Sequence, residues 1–166
     1  MIKKVFRLFL SITVILFSKI IHGQEDSHAE RHHHEGYMYE LGLSSGLAYL
    51  AGEDVYAPNA HMHMMKRVAP EGYANRWAVG LGVESIFTDH THVSFLTTVS
   101  YNFIDDFIVD FSPGLLLAEG ERQFITHIEI TYESEYRGFG IGPILGMAVS
   151  PDDQHYMLGL HIGKGF

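Results

Sequence analysis

The sequence predicts an all-β protein: an eight-stranded antiparallel transmembrane β-barrel, preceded by a cleaved leader and a short polar tail. Three observations lead there. The last twelve residues, His155 to Phe166, alternate with a period of two. Tyr156, Leu158, Leu160, Ile162 and Phe166 share one face, broken only by Lys164, while His155, Met157, Gly159, His161, Gly163 and Gly165 share the other. A period of two is a strand with two different surroundings. The second observation is which residues oppose the apolar ones. A water-facing strand surface favours Thr, Lys or Glu. Glycine weakens a strand and belongs where space is short, as inside a narrow barrel. The apolar face is therefore expected to point outward, into lipid. Third, no segment after the leader keeps a 3.6-residue period over a helix length, and no long apolar run follows it, so a membrane-spanning chain of this kind has to be a barrel.

Residues 1–23 read as an export signal. Lys3, Lys4 and Arg7 precede the apolar run Leu8–Phe17, and Ile21-His22-Gly23 ends in a small residue. The run is interrupted by Lys19 and is shorter than the roughly 20 residues a spanning helix needs. Cleavage there leaves 143 of the 166 residues and, by removing four basic residues and no acid, moves the net charge from −9 to −13. Such a balance argues against a nucleic-acid partner. Cysteine is absent, which excludes disulfides, thiolate metal sites and a lipoprotein anchor. Residues 24–36 are polar, unpatterned and rich in histidine, as expected of a flexible periplasmic tail.

From Tyr37 to Phe166 the chain forms one domain of eight alternating segments. They lie near 37–50, 60–68, 75–87, 91–103, 106–118, 122–136, 138–149 and 154–166. Short breaks separate them, at 52–59, 70–72, 88–90, 105–106, 119–121, 137–138 and 151–153. Parity places Leu41, Leu43 and Leu47 outward on the first segment, and Trp77, Val79 and Leu81 on the third. Phe95 and Val99 follow on the fourth, Phe111 and Leu115 on the fifth, Phe124, Ile128, Ile130 and Tyr132 on the sixth, and Phe139 and Leu145 on the seventh. The opposite parity collects Gly42, Ser44, Gly80, Gly82, Ser94, Thr98, Ser112, Gly140, Gly142 and Gly146, small residues suited to a narrow lumen. In the second segment, His61, His63 and Arg67 turn inward and leave Met62 and Met64 to lipid.

An even number of strands puts both termini on the periplasmic side. Tyr37, Tyr39, Trp77, Tyr101, Phe103, Phe107, Tyr132, Tyr136, Phe139 and Phe166 then gather at the periplasmic strand ends, and Tyr49, Phe87, Phe124 and Tyr156 at the outer ends. Two aromatic girdles are expected where amphipathic rings meet two membrane interfaces. Tyr39 to Tyr49 is ten steps of roughly 3.3 Å, a rise of about 25 Å at a tilt near 40°. On these features, and on the terminal Phe166, residues 37–166 resemble the small eight-stranded outer-membrane barrels of the OmpX and OmpA transmembrane-domain type. They also resemble the loosely defined porin-family or outer-membrane β-barrel sequences of Bacteroidetes-like bacteria. The resemblance implies outer-membrane lipid and lipopolysaccharide as surroundings, and the barrel assembly machinery as the partner that reads the C-terminal strand. The loops here are short, which departs from that type and speaks against adhesion.

The chemistry lies on the inward face. Of twelve histidines, His28, His32, His33 and His34 fall in the tail. If strand directions alternate, His61, His63, His92, His127 and His155 come together in the outer half of the lumen beside Glu84 and Glu129. Neutral imidazole with carboxylate is the ligand set of Zn²⁺, and suits Cu²⁺ or Ni²⁺. The competing reading is a buried hydrogen-bonded network that satisfies the lumen charges. Glu40, Asp110, Glu133 and Arg67 read as lumen salt bridges nearer the periplasm. The expected function is thus a membrane-structural or transport-related barrel, with a lumen transition-metal ion as the specific hypothesis and a metal transport system as a further partner. Two alternatives stay open. One is a soluble periplasmic lipocalin-like binding barrel, which would need the aromatics inside. The other is a lipid A-modifying enzyme, because His92-Val-Ser94 resembles the H-x-S element of outer-membrane lipid A deacylases.

Overall fold

A computed structural model describes residues 37–90, 92–104, 106–118 and 120–166. The leader and the histidine-rich tail lie outside the described residues. The strands are β1 Tyr39–Leu50, β2 Val55–Arg67, β3 Trp77–Ile86, β4 His92–Ile104, β5 Phe107–Ala118, β6 Glu121–Tyr132, β7 Ser134–Tyr136, β8 Phe139–Val149 and β9 Gln154–Gly165, with one 3₁₀ turn at Tyr73–Arg76 before β3. The strands β6 and β7 continue one another in a single register against β8, Thr131 facing Ile144 and Ser134 facing Ile141. They form one stave, so the barrel has eight. Every neighbouring pair is antiparallel, and β1 pairs with β9 from Glu40↔Gly165 to Leu50↔His155, which closes the ring. Phe166 finishes that seam through two backbone hydrogen bonds with Tyr39, at 3.1 and 2.9 Å.

The register fixes the geometry. Starting at Phe124, direct cross-strand partners run through Leu115, Phe95, Val83, Met62, Leu43, Ile162 and Ile141. They return to the first stave at Ser134, ten residues beyond the start. That displacement over eight staves corresponds to a strand tilt of about 40°, given a rise of about 3.3 Å per residue and a strand spacing of about 4.8 Å. All residues on this path up to Ile141 are apolar and none is buried.

This outward apolar band matches the parity reading. Leu81 is 67% exposed, Phe124 59% and Leu145 59%, whereas Ser112 and His127 are fully buried. Rings cluster along the terminal end: Tyr39 on Phe166, Trp77 on Tyr101, Phe103 on Phe107, and Phe107 on Tyr132. Tyr132 corrects one assignment. It lies buried, with its ring 5.1 Å from that of Phe107, rather than open to lipid. At the far end Tyr49 meets Tyr56, their centroids 4.8 Å apart. The outward aromatics exclude the lipocalin-like alternative, which needs them inside.

Two boundaries differ from the sequence reading. β2 begins at Val55 rather than near 60, because Tyr56 to Asn59 pair with Gly46 to Tyr49 although Pro58 interrupts the donors. Pro58 still contributes its carbonyl, which accepts from the Phe87 N–H at 2.9 Å. β3 begins at Trp77 rather than near 75, because Tyr73–Arg76 coil into the 3₁₀ turn. The hairpin at Arg137-Gly138 has both residues at positive φ (55° and 77°), as a type I′ turn between twisted strands requires.

Apolar interior residues gather at the end of the barrel away from the chain termini. Ala48, Leu50, Ala57, Ile86 and Met157 form one cluster, and Leu96, Leu116, Ile125 and Ala148 a second. The rest of the interior is mostly polar, with Met65, Ala78, Ile108, Tyr132 and Ile144 interspersed.

Candidate metal centre

The lumen holds five buried carboxylates, Glu40, Glu84, Asp110, Glu129 and Glu133, and five buried imidazoles, His61, His63, His127, His155 and His161. Arg67 is the one buried guanidinium among the described residues, and no lysine is buried there. With every carboxylate ionised and every imidazole neutral, four negative charges would stand uncompensated in a medium where charge is costly.

Glycines make the room. A Cβ on Gly82 would stand 2.6 Å from His61 Nε2, and one on Gly42 would run into the His63 ring and stand 2.7 Å from His161 Cε1. A Cβ on Gly140 would collide with the Glu133 carboxylate. The glycine–histidine face of the sequence is therefore one device for these groups: His61, His63, His161 and Glu133 each lie over a residue that lacks a side chain.

The groups sort into two sets. In the first, Glu84 Oε2 lies 3.4 Å from His127 Nε2 and 3.6 Å from His155 Nε2. Glu129 Oε1 lies 3.5 Å from His61 Nδ1 and 4.0 Å from His127 Nδ1. The Asn59 amide donates to the other Glu84 oxygen at 3.2 Å and so fixes that carboxylate. Donor atoms of Glu84, His127 and His155 lie within 4.8 Å of one another. These separations exceed the usual N–H···O distance of about 2.9 Å. They approach the edge of a tetrahedron with metal–ligand bonds of roughly 2.0–2.1 Å, about 3.3 Å. Both nitrogens of His61 and of His127, both oxygens of Glu129, Glu84 Oε2 and His155 Nε2 are buried without a hydrogen-bond partner.

In the second set, nearer the termini, Glu40, His63 and His161 also bring donor atoms within 4.8 Å of one another. The His63 and His161 rings stack at 5.3 Å, 14° from parallel. His161 Nε2 lies 3.3 Å from Glu133 Oε2, and its Nδ1 meets the Ser44 hydroxyl at 3.1 Å. Arg67 donates to Glu40 at 3.0 Å and to the Asn75 carbonyl at 3.0 Å.

Of the seven residues the sequence singled out, the structure brings together His61, Glu84, His127, Glu129 and His155. His63 lies instead with Glu40 and His161. Residues two apart on a strand share a face but are separated by roughly 6.6 Å, and the barrel's tilt carries His63 toward β9. His92 sits at the rim with its Nε2 3.7 Å from Glu53, because it is the first residue of β4. Ser94 is buried inside the barrel, so the H-x-S element offers no dyad to lipid. His161 and Glu40 were not expected as partners of a site. The signal that would find them is the pairing of the first and last strands, 117 residues apart at Ser44 and His161.

No family model and no curated protein matches the chain. Solved structures do. A protein described as "De novo design of transmembrane beta-barrels" superposes with a TM-score of 0.54 at 10% identity, over 75% of this chain and 94% of that one. Neisserial surface protein A gives 0.52 at 8% identity, over 79% and 97%. The fold is that of the small transmembrane β-barrels. Ail, the attachment invasion locus protein of Yersinia pestis, gives 0.48 at 11% identity, over 78% and 99%. Likeness at these identities concerns the path of the chain and does not extend to lumen side chains.

Proposed function

We propose that this chain is a small outer-membrane barrel whose lumen holds a divalent transition-metal ion, zinc, copper or nickel, on Glu84, His127 and His155, with His61 and Glu129 beside them. The observation that carries the reading is the convergence of buried nitrogens and oxygens that make no well-aligned hydrogen bond, at separations of 3.4 and 3.6 Å, longer than the usual N–H···O distance and near those between metal ligands. A bound cation would also offset part of the negative charge of the lumen. The role is membrane-structural or transport-related rather than enzymatic, and transport here means binding or slow transfer to a metal transport system. The apolar band and the Phe166 seam support outer-membrane lipid and lipopolysaccharide as surroundings and the barrel assembly machinery as a partner.

The test uses the full chain with His28, His32, His33 and His34 changed to Ala, so that the tail contributes no ligand. It should fractionate with outer membranes, shift in migration on boiling in SDS, and bind Zn²⁺ with micromolar or tighter affinity by calorimetry. Imidazole ligates as the neutral base and its ordinary pKa is about 6.5, so affinity should be full above that range and fall as pH drops below about 6. His127→Ala with His155→Ala should weaken binding at least 10-fold. Unchanged affinity in that variant would leave the cluster as a structural polar network.

A further inference from the structure

Resting on the reading that this lumen takes divalent transition ions, we infer that it has a second such site, formed by Glu40, His63 and His161 nearer the chain termini. Three observations carry this beyond the first centre. His63 is more than nine-tenths buried, its ring lies over Gly42 and meets the rings of His61 and His161, and it makes no hydrogen bond or ion pair among the described residues. Its donor atom lies within 4.8 Å of those of Glu40 and His161, where a shared ion would give the imidazole a partner. His161 is oriented from behind. When its Nδ1 carries the proton, Ser44 Oγ accepts it and Nε2 keeps its lone pair toward Glu40, Glu133 and His63. This is the outer hydrogen bond that metal-ligating imidazoles use.

Charge is the third observation. One divalent ion at Glu84, His127 and His155 would halve the four charges that ionised carboxylates and neutral imidazoles leave in the lumen, and a second at Glu40, His63 and His161 would cancel the remainder. Arg67 donates to Glu40 Oε2, and Glu40 Oε1 lies 3.2 Å from where a Cβ on Gly163 would stand. The same Cβ would stand 2.9 Å from His161 Nε2. Gly163 thus leaves space beside the donors of His161, Glu40 and Glu133, and Gly42 makes room for the His63 ring. Glu133 is the fourth ligand candidate. The two sites are linked by the edge-on contact of His61 and His63, 5.3 Å between ring centres, so two ions lie along one line of donors through the barrel.

The experiment counts ions. The full chain with the four tail histidines replaced is refolded, dialysed against Zn²⁺ at pH 7.5 and analysed for metal per barrel. Co²⁺ serves as a parallel probe, whose visible absorption reports each ligand set. Two ions per barrel are expected. His63→Gln with His161→Gln should reduce this to one, and so should His127→Gln with His155→Gln, with a different Co²⁺ spectrum remaining in each. Heat-modifiable migration in SDS checks that each variant is folded. If the first pair fails to fold, Gly42→Ala should also remove one ion, since its Cβ displaces the His63 ring. Two ions retained in a folded His63→Gln, His161→Gln barrel overturn the second site. One ion in the parent that is lost only with His127 and His155 also overturns it, and leaves the first centre standing. One ion lost only with His63 and His161 supports the second site and overturns the first. No ion in the parent overturns both, with protons then the charge that balances the lumen.

Discussion

A single methyl group added at Gly82 would stand 2.6 Å from His61 Nε2, closer than packed atoms approach. Gly82→Ala should push that imidazole off Glu129, destabilise the barrel by about 1–3 kcal/mol through overpacking, and lower Zn²⁺ affinity. Paired chemical denaturation and calorimetry read both effects, and an unchanged barrel would show that the ring has room to turn. The residue scale is also where the sequence was hardest to read. Parity gives the wall each histidine faces, and His61, His127 and His155 were legible from it together with Glu84 and Glu129. Parity does not give the neighbour across the lumen. His63 and His161 meet because β9 returns beside β1, and no local pattern carries that register. His92 has the correct parity but is the first residue of β4, at the rim, where its Nε2 lies 3.7 Å from Glu53.

At the scale of the strand, the period of two is a direct statement about two media. Leu81 on β3 and Ile128 on β6 sit on the outer face. Leu81→Arg and Ile128→Arg should each cost about 2–4 kcal/mol if these positions lie near the bilayer midplane. Refolding titrations in lipid vesicles measure the loss, and neutrality at both would place them out of the membrane. Strand existence and direction were legible throughout, since a mismatch would turn every Leu or Val of a stave into the lumen. Ends were less so. Pro58 and Asn59 look like a continuation of the acidic loop before them, yet β2 runs through both because pairing with β1 and β3 outweighs one missing donor. Arg137-Gly138 was legible because positive φ at two successive residues has few sequence solutions.

On the scale of the whole molecule, the barrel separates two kinds of surface. Its far loops are acidic, with Glu53, Asp54, Asp89, Glu121 and Asp152 exposed, while Lys66, Arg137 and Lys164 lie over the rings of Tyr39, Tyr136 and Phe139 near the termini. An acidic rim draws cations by a field that salt screens over about 10 Å at 0.1 M. Beneath it, however, stand the two apolar clusters built on Leu50, Ile86, Leu96 and Ile125. In electrical terms that layer is an insulator in series with a polar cavity. Planar-bilayer recordings of the reconstituted barrel should therefore be silent at modest voltages, and steady single-channel steps would refute this. Replacing Leu50 and Ile86 together by Ser should introduce leak. Under this arrangement the lumen behaves as a blind well, whose contents exchange through the mouth that Arg67 latches and not across the membrane.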